Sequence, residues 1–317
     1  MTKSIFRISI LLLISYFGYS QGCSDAGFCT MGAMKPDQAY NKKINFKLRA
    51  VEVSQYRGKS TSSPVIYVSN IDFAFSINQK TSFQIKIPYQ AVTGNLGSTS
   101  GIGDISLSAT RNVYNSEKFD INATIGAKIP TNDSNLKKSG TEFGNEGSPL
   151  PMYYQTSLGS YDFIVGLSLI SKKWLFATGY QNALSANNNQ FEWDEWDGYT
   201  GGPDYITAHA IARKLKRGTD VMFRVERNWR FSNYNFSLGA LPIYRITKDQ
   251  IVNLAGDYVK VDKTTGLALT ALFSAGYHFN VKSSIKFIYG LKLTDRDVNP
   301  DQLTRTDVQT IAYVYRF

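Results

Sequence analysis

The sequence has few cysteines and histidines and no long hydrophobic run. Only 2 Cys and 2 His occur among its 317 residues, which excludes a disulfide-rich scaffold and disfavours metal centres built from these side chains. The longest apolar stretch, Ile8–Phe17, is too short to be a transmembrane helix. The content is 43% hydrophobic and 14% aromatic, which excludes disorder. With a mean hydropathy of −0.24, a secreted all-β protein or a transmembrane β-barrel remains, since only alternate barrel residues meet lipid.

The first twenty residues have the pattern of an export signal. Lys3 and Arg7 form a basic region, the apolar stretch follows, and Gly18 and Ser20 are small residues before a cleavage point. Removing 1–20 takes away two positive charges and changes the net charge from +10 to +8. Export disfavours nucleic acid as a partner, so this charge is expected to meet lipopolysaccharide phosphates, attract anionic solutes or simply aid solubility.

Cys23 and Cys29 lie just after the predicted cleavage point. In an oxidising compartment a small disulfide loop is expected. Lipidation of Cys23 is a second possibility, but Ser20 stands where a lipobox has an aliphatic residue. A Cu(I) site that adds Met31 and Met34 is a third, weaker one, because no histidine is near. We therefore predict a disulfide, no metal and no cofactor.

The body of the chain alternates apolar and polar residues with a period of two. Ile71, Phe73, Phe75 and Ile77 alternate with polar or small residues, and the same pattern follows the turn at 78–81. This period is typical of strands with one apolar face. Including a less regular first strand at about 44–57, the count is twelve. The strand stretches are 44–57, 71–77, 83–89, 105–109, 119–129, 161–169, 174–180, 221–225, 236–244, 267–279, 285–293 and 311–317.

The connections alternate between short and long. Those near 79–81, 115–118, 171–173, 232–233 and 280–283 are short, whereas those near 58–64, 94–101, 131–159, 185–218, 246–265 and 295–305 are longer and polar. This alternation predicts an all-β fold: a transmembrane antiparallel β-barrel with short periplasmic turns and longer outer loops. The alternating aromatic end at Tyr313, Tyr315 and Phe317 is typical of barrels that the outer-membrane insertion machinery recognises. The predicted location is the cell outer membrane.

Three short segments resemble one family. Ser100–Leu107, Ile125–Thr131 and Leu158–Phe163 are similar to elements of outer-membrane transporters of the MetA-pathway-of-phenol-degradation family, which are related to FadL-type barrels. The likeness covers about 100–185, and the chain departs from it at Asn132-Asp133. From the residues alone, Gly101 and Gly103 are expected to let the strand bend at the rim.

The inward-facing set holds the candidate residues for solute binding. If the apolar positions face lipid, the lumen receives more basic than acidic side chains, which favours small anions or polar solutes. These groups could equally form salt bridges that brace or block the barrel. The candidates are Lys47, Arg49, Lys86, Asp104, Lys128, Arg224, Glu226, Arg245 and His278, and further inward positions are Asp72, Asp120, Lys286 and Lys292. Arg227 falls on the lipid side of its strand, which implies a bulge or a position near the membrane interface.

Three domains are expected: a signal peptide at 1–20, an N-terminal segment at 21–43, and the barrel at 44–317. The FadL-type resemblance implies that 21–43 plugs the lumen, while a loose periplasmic tail is the alternative. In the fourth outer loop, Trp193, Asp194, Trp196 and Asp197 could bind Ca²⁺, stack on a sugar or apolar ligand, or simply structure the loop.

The predicted function is an outer-membrane channel that passes a small molecule by passive diffusion. The resemblance implies an apolar or aromatic compound, whereas the basic lumen favours a small anion. The alternative is a structural or adhesin-like barrel acting through its outer loops. No enzyme motif is present, and an outer-rim hydrolase would need a serine beside His209. The expected partners are outer-membrane lipid and lipopolysaccharide, the solute and the insertion machinery, with no nucleic acid.

Overall fold

The computed structural model describes residues 47–60, 62–139, 145–253, 255–303 and 305–317. The predictions for the signal peptide, the segment 21–43 and the Cys23–Cys29 disulfide lie outside the described residues. Among the described residues, no helix is both long and apolar enough to cross a membrane.

The described chain is built almost entirely from β-strands. Fifteen strands are present. Their bounds are β1 Lys47–Lys59, β2 Val65–Ser76, β3 Thr81–Gly94, β4 Gly97–Ile102, β5 Ile105–Asn115, β6 Phe119–Ile129, β7 Asp162–Ser171, β8 Trp174–Ala183, β9 Asp220–Phe231, β10 Tyr234–Arg245, β11 Gln250–Val252, β12 Tyr258–Lys260, β13 Gly266–His278, β14 Ser283–Thr294 and β15 Asp307–Arg316. One short helix, α1, spans Pro203–Thr207, and 3₁₀ turns span Met152–Tyr154 and Asp194–Trp196.

A closed antiparallel barrel of twelve strands is formed when β4 and β5 are counted together as one strand. Each strand pairs with its neighbours in sequence, and β1 pairs with β15 from Ala50 opposite Arg316 to Lys59 opposite Asp307. β4 and β5 follow one another along β3 and share one position, with a break at Gly103 and Asp104. β11 and β12 form a separate hairpin in an outer loop. The predicted twelve-stranded barrel is therefore confirmed.

The apolar positions of the strands point outward and are exposed on the barrel surface. Ile71, Leu167, Phe223 and Leu238 are examples, and each is more than two-fifths exposed. Such a girdle of large apolar side chains is what lipid contact requires. Because the strand period is two, the neighbouring polar and small residues point into the lumen.

The turns follow the predicted alternation, with one exception. The β2–β3, β5–β6, β7–β8, β9–β10 and β13–β14 turns are short and share one end of the barrel. The segment 94–101 was expected to be a long loop, and that prediction is wrong. β3 and β4 continue past the rim as a hairpin, with Gly94 opposite Gly97. Gly97 has a φ of +126° at this turn, which glycine adopts at little cost.

Arg227 lies in a regular part of β9. It is opposite Leu238 on β10 and Trp174 on β8 without a bulge. Its guanidinium lies 5.0 Å from the ring centre of Trp174 and 6.0 Å from that of Trp229. Since arginine and tryptophan collect at membrane interfaces, Arg227 occupies the interface at the short-turn end.

Candidate functional site

The lumen has two chemically different walls. On β7, β8, β9, β10 and β13 one group of buried inward residues forms an apolar patch, although other inward residues of these strands are polar. The patch consists of Ile164, Ala177, Met222, Leu241 and Leu272, with Ile243 beside it. On β5 and β6 most inward residues are small and polar, and Thr110 and Thr124 form a hydrogen bond of 2.8 Å between their hydroxyls. A solute in this lumen therefore meets hydrogen-bonding groups on one side and an apolar surface on the other.

The predicted inward charges lie in several places. Near the outer end, Lys128 contacts Asp104 at 3.4 Å, and both are buried. Arg224 and Glu226 are also buried and form an ion pair with each other along β9.

Other candidates lie towards the short-turn end or remain partly exposed. Lys47 is exposed in β1 opposite Ser76, and Arg49 stands at a bulge, where its Nε donates to Ser76 Oγ at 2.8 Å. Lys86 and His278 are half-buried. The structure therefore distributes the predicted candidates along the lumen and does not gather them at one point.

The outer end of the barrel is covered by loop residues, which we call the outer lid and define as residues 149–158 and 187–215. Its large side chains pack on inward residues of β2, β3 and β15 near the mouth. The packed set includes Leu150, Tyr153, Tyr154, Phe191, Trp196 and Ile206 of the lid with Ile66, Val68, Val92 and Val308 of the barrel. Tyr154 is central: its hydroxyl accepts a hydrogen bond from Leu96 N at 3.1 Å and lies 3.0 Å from the Tyr205 hydroxyl. Burial raises the pKa of Tyr154, so its phenol stays neutral.

Asp104 fastens the lid to the barrel wall. Its carboxylate accepts hydrogen bonds from the Ser157 hydroxyl and from Leu158 N, the latter at 3.0 Å. The adjacent Gly103 passes so close to the lid that an added Cβ would lie 3.1 Å from the Thr156 carbonyl oxygen. The glycines and the aspartate of the family-like motif thus bring the lid and the wall together. The expected inward orientation of Asp104 is observed.

A second, ionic anchor is centred on Arg245 at the outer end of β10. Its guanidinium contacts Asp220 at 2.7 Å, Asp249 at 2.9 Å and Asp301 at 2.8 Å. Asp249 and Asp301 belong to the loops that follow β10 and β14, so this one side chain connects two outer loops to the wall. Nearby cations hold the pKa of Asp301 below its usual range. The alternation of apolar and polar residues along the strand predicted that Arg245 points inward. Its carboxylate partners in the outer loops could not be predicted, because no sequence pattern marks contacts between distant loops.

His209 lies in the lid and is fully buried. Its ring is surrounded by those of Tyr153, Tyr154, Phe191 and Tyr205, at centroid distances of 5.0–6.3 Å. Nδ1 lies 2.9 Å from the Tyr205 carbonyl oxygen, and Nε2 has no hydrogen-bond partner within the described part of the chain. Desolvation lowers the pKa of His209 below its ordinary value.

The fourth-loop candidates belong partly to the lid. Trp196 is buried and donates from Nε1 to the Pro149 carbonyl at 2.9 Å, while Trp193 donates to the His209 carbonyl at 2.8 Å. Asp194 and Asp197 are exposed at the surface. In the part of the chain that the structure describes, no three His, Cys, Asp or Glu side chains are grouped closely enough to hold a metal ion.

Beneath the lid is a small chamber between the lid and the wall formed by β2, β3, β5 and β6. Its lining combines Lys86, Lys128 and Arg305 with apolar side chains such as Met152 and Leu158. The centre of a water molecule can occupy only about 40 Å³ of this space, which is room for a few waters. In this conformation the route to the outside is therefore narrow.

The fold is similar to that of a solved membrane protein. The COG4313 outer membrane channel from Pseudomonas putida F1 matches with a TM-score of 0.62 at 13% identity, over 89% of this chain and 99% of that one. The two proteins share the fold of a closed antiparallel β-barrel. The chain is thus a multi-pass β-barrel of the outer membrane, with its longer loops outside, as predicted.

Weaker similarities accompany this one. The KdgM porin matches with a TM-score of 0.43 at 7% identity, over 84% of this chain and 99% of that one. The CymD monoaromatic hydrocarbon channel matches with a TM-score of 0.42 at 10% identity, over 95% of each chain. No protein-family model matches the sequence, and no characterised protein matches it in a sequence search.

Proposed function

We propose that the protein is an outer-membrane channel that passes a small molecule by passive diffusion, with the outer lid as its gate. The observation that carries this proposal is the lid itself. A few polar anchors hold it over a lumen that has inward-facing polar groups along its length. A barrel that served only as a structural support would not need a separate chamber beneath a fastened cover.

The chemistry of the two walls favours a solute that is small and amphipathic. The chamber lining holds three cations, Lys86, Lys128 and Arg305, and one carboxylate, Asp104, which lies 3.4 Å from Lys128. The excess of positive charge favours an anionic group. The apolar patch around Met222 and Leu241 favours an apolar or aromatic body. A small organic anion with an apolar body fits both features, and an uncharged aromatic compound fits the second alone.

Release of the lid tests this proposal. Asp104→Ala removes the acceptor for Ser157 and Leu158, so single-channel conductance in planar bilayers should rise several-fold over the intact chain. Asp120→Ala is the matched control, because Asp120 is also an inward aspartate but bonds to Asn115 at the short-turn end. The same pair of substitutions is also measured in a chain lacking 21–43, so that a plug formed by that segment would not hide the effect.

Negligible conductance of every variant, together with no uptake of small solutes into liposomes, would contradict the channel and favour a barrel that acts through its loops. Ion selectivity supplies a second readout, since a basic chamber should make the open variant prefer chloride to potassium. We propose no catalysis. Among the described residues no serine donates to His209 Nε2, whereas a rim hydrolase needs a His–Ser pair.

A further inference from the structure

A cleft on the outside of the barrel carries an unusual row of lysines. It lies at the outer rim above β8, β9 and β10, between the end of the fourth loop and the β11–β12 hairpin, and has a volume of about 560 Å³. We call it the basic cleft; its lining is Asn182, Lys216, Arg217, Gly218, Thr247, Lys248, Gln250 and Lys260. Four of these eight residues are basic and none is acidic.

Backbone pairing places the lysines on one face. Lys216 and Gln250 are opposite each other, with both backbone hydrogen bonds formed at 2.8 and 2.9 Å. Gln250 is in turn opposite Lys260 across the hairpin. Directly opposed residues of antiparallel strands project to the same side, so Lys216, Gln250 and Lys260 form a row. The adjacent Leu215 is buried among apolar residues of the lid, which anchors this row firmly.

Two of the four positive charges in the cleft are not neutralised. Arg217 turns inward to form a buried ion pair with Asp162. Lys248 pairs with Asp262, whose side chain is 82% exposed. Within the described residues, neither Lys216 nor Lys260 takes part in an ion pair. Lysines held close together without acids repel one another, and an anion with several charges would relieve that repulsion.

Directly below the cleft the barrel presents an aromatic, lipid-facing row. Tyr180, Val221 and Tyr244 are opposite one another on β8, β9 and β10, and Leu267 continues the row on β13. Tyr180 and Tyr244 are exposed. Tyrosines at this level mark the membrane interface, so the lysines stand at the height of the outer-leaflet headgroups. The cleft and the row together offer cations to a headgroup and an apolar surface to its acyl chains.

We propose that the basic cleft binds the phosphorylated headgroup of the outer-leaflet glycolipid, lipopolysaccharide, with its acyl chains lying over Tyr180 and Tyr244. Phosphate is favoured because each cation near a headgroup attracts it. Two lysines that form no ion pair within the described residues, Lys216 and Lys260, lie on one face here, and Lys248 beside them pairs with an exposed carboxylate. The site is outside the lumen and separate from the proposed route of the solute. A free phosphate ion would use the lysines but not the aromatic row.

Binding of purified lipopolysaccharide to the full chain in a zwitterionic detergent tests the proposal. The triple variant Lys216→Gln, Lys248→Gln and Lys260→Gln should bind at least tenfold more weakly than the unchanged protein. The control triple variant, Lys118→Gln, Lys172→Gln and Lys173→Gln, removes the same charge from exposed short-turn positions and should bind normally. Heat-modifiable gel mobility confirms that both variants are folded.

Two further arms identify the ligand. Dephosphorylated lipopolysaccharide should bind the unchanged protein as weakly as intact lipopolysaccharide binds the cleft variant, and millimolar inorganic phosphate should not compete. Equal binding by the two triple variants, or equal binding of the dephosphorylated lipid, overturns the proposal. Full competition by inorganic phosphate overturns the lipid assignment, because the cleft would then be a site for the free ion.

Discussion

Among single residues, His209 couples a change of charge to the packing of the lid. Its buried ring has a pKa below the ordinary value of 6.5. His209 therefore stays neutral in the closed lid at a pH at which it is protonated in an opened lid. The closed state therefore loses stability as the pH falls below about 6.5. For each unit by which the pKa of His209 is lower in the closed lid than in the open lid, full protonation raises the ratio of open to closed lid about tenfold.

We expect proteinase K to cleave the lid segment 187–215 faster at pH 5.5 than at pH 7.5. His209→Phe keeps an aromatic ring in the cluster and removes the titration, so its cleavage rate should depend less on pH. The other histidine among the described residues, His278, lies at the opposite end of the barrel, beside the β13–β14 turn. Parallel pH profiles for the two proteins would refute a role for His209.

Between strands and loops, the Arg245 anchor is the contact with the largest energetic consequence. Arg245→Met would leave Asp220, Asp249 and Asp301 buried without their shared cation. Loss of one partner from such a buried group costs about 3–5 kcal/mol. Arg57→Met is the control, because Arg57 forms a more exposed pair with Asp307 at 3.7 Å, and such pairs contribute below about 1 kcal/mol.

Urea unfolding in detergent, followed by tryptophan fluorescence, measures both free energies. Acid provides an independent test of the anchor. The folded-state pKa of Asp301 is lowered, so its contribution is present above the ordinary value and lost as the pH falls through the region below about 4. Burial raises the pKa of Asp249, which opposes part of this effect. If Arg245→Met and Arg57→Met unfold at the same urea concentration, the Arg245 anchor does not stabilise the fold.

The β3–β4 hairpin shows how much of an element the sequence can predict. Alternation identified the membrane-crossing strands because one of their faces is uniformly apolar. Beyond the rim both faces meet polar surroundings, so Ser98, Thr99 and Ser100 carry no such period and were taken for a loop. The lid was missed for a related reason: Tyr154 and Trp196 pack on strands far away in sequence, and nothing periodic marks those contacts.

We expect Gly97→Ala to destabilise that hairpin by about 1–3 kcal/mol, because a side chain is strained at a φ of +126°. No atom lies within 4 Å of the added Cβ, so the cost comes from the backbone alone. Hydrogen exchange of the amides in 89–102 measures the change, with Asn95→Ala as the control. Unchanged protection of these amides in Gly97→Ala would contradict the strain.

For the whole molecule, the question is whether the lumen is closed at one end or at both. The lid closes the outer end, and the resemblance to FadL-type barrels predicted a plug from 21–43. Deletion of 21–43 should raise single-channel conductance, and Asp104→Ala in the shortened chain should raise it further, since two closures in series each limit the current. If the deletion changes nothing, the segment is a periplasmic tail.

The pairing of β1 with β15 has a consequence for the order of synthesis. Among the described strands of the barrel, the one that comes first in the chain pairs with the one that comes last, so a chain that lacks β15 cannot complete the cylinder. Until Asp307–Arg316 arrives, the polar edges of β1 and β14 are both open, and open edges invite pairing with foreign chains. Closure of the cylinder is therefore the last pairing step of the barrel, and it depends on β15 alone.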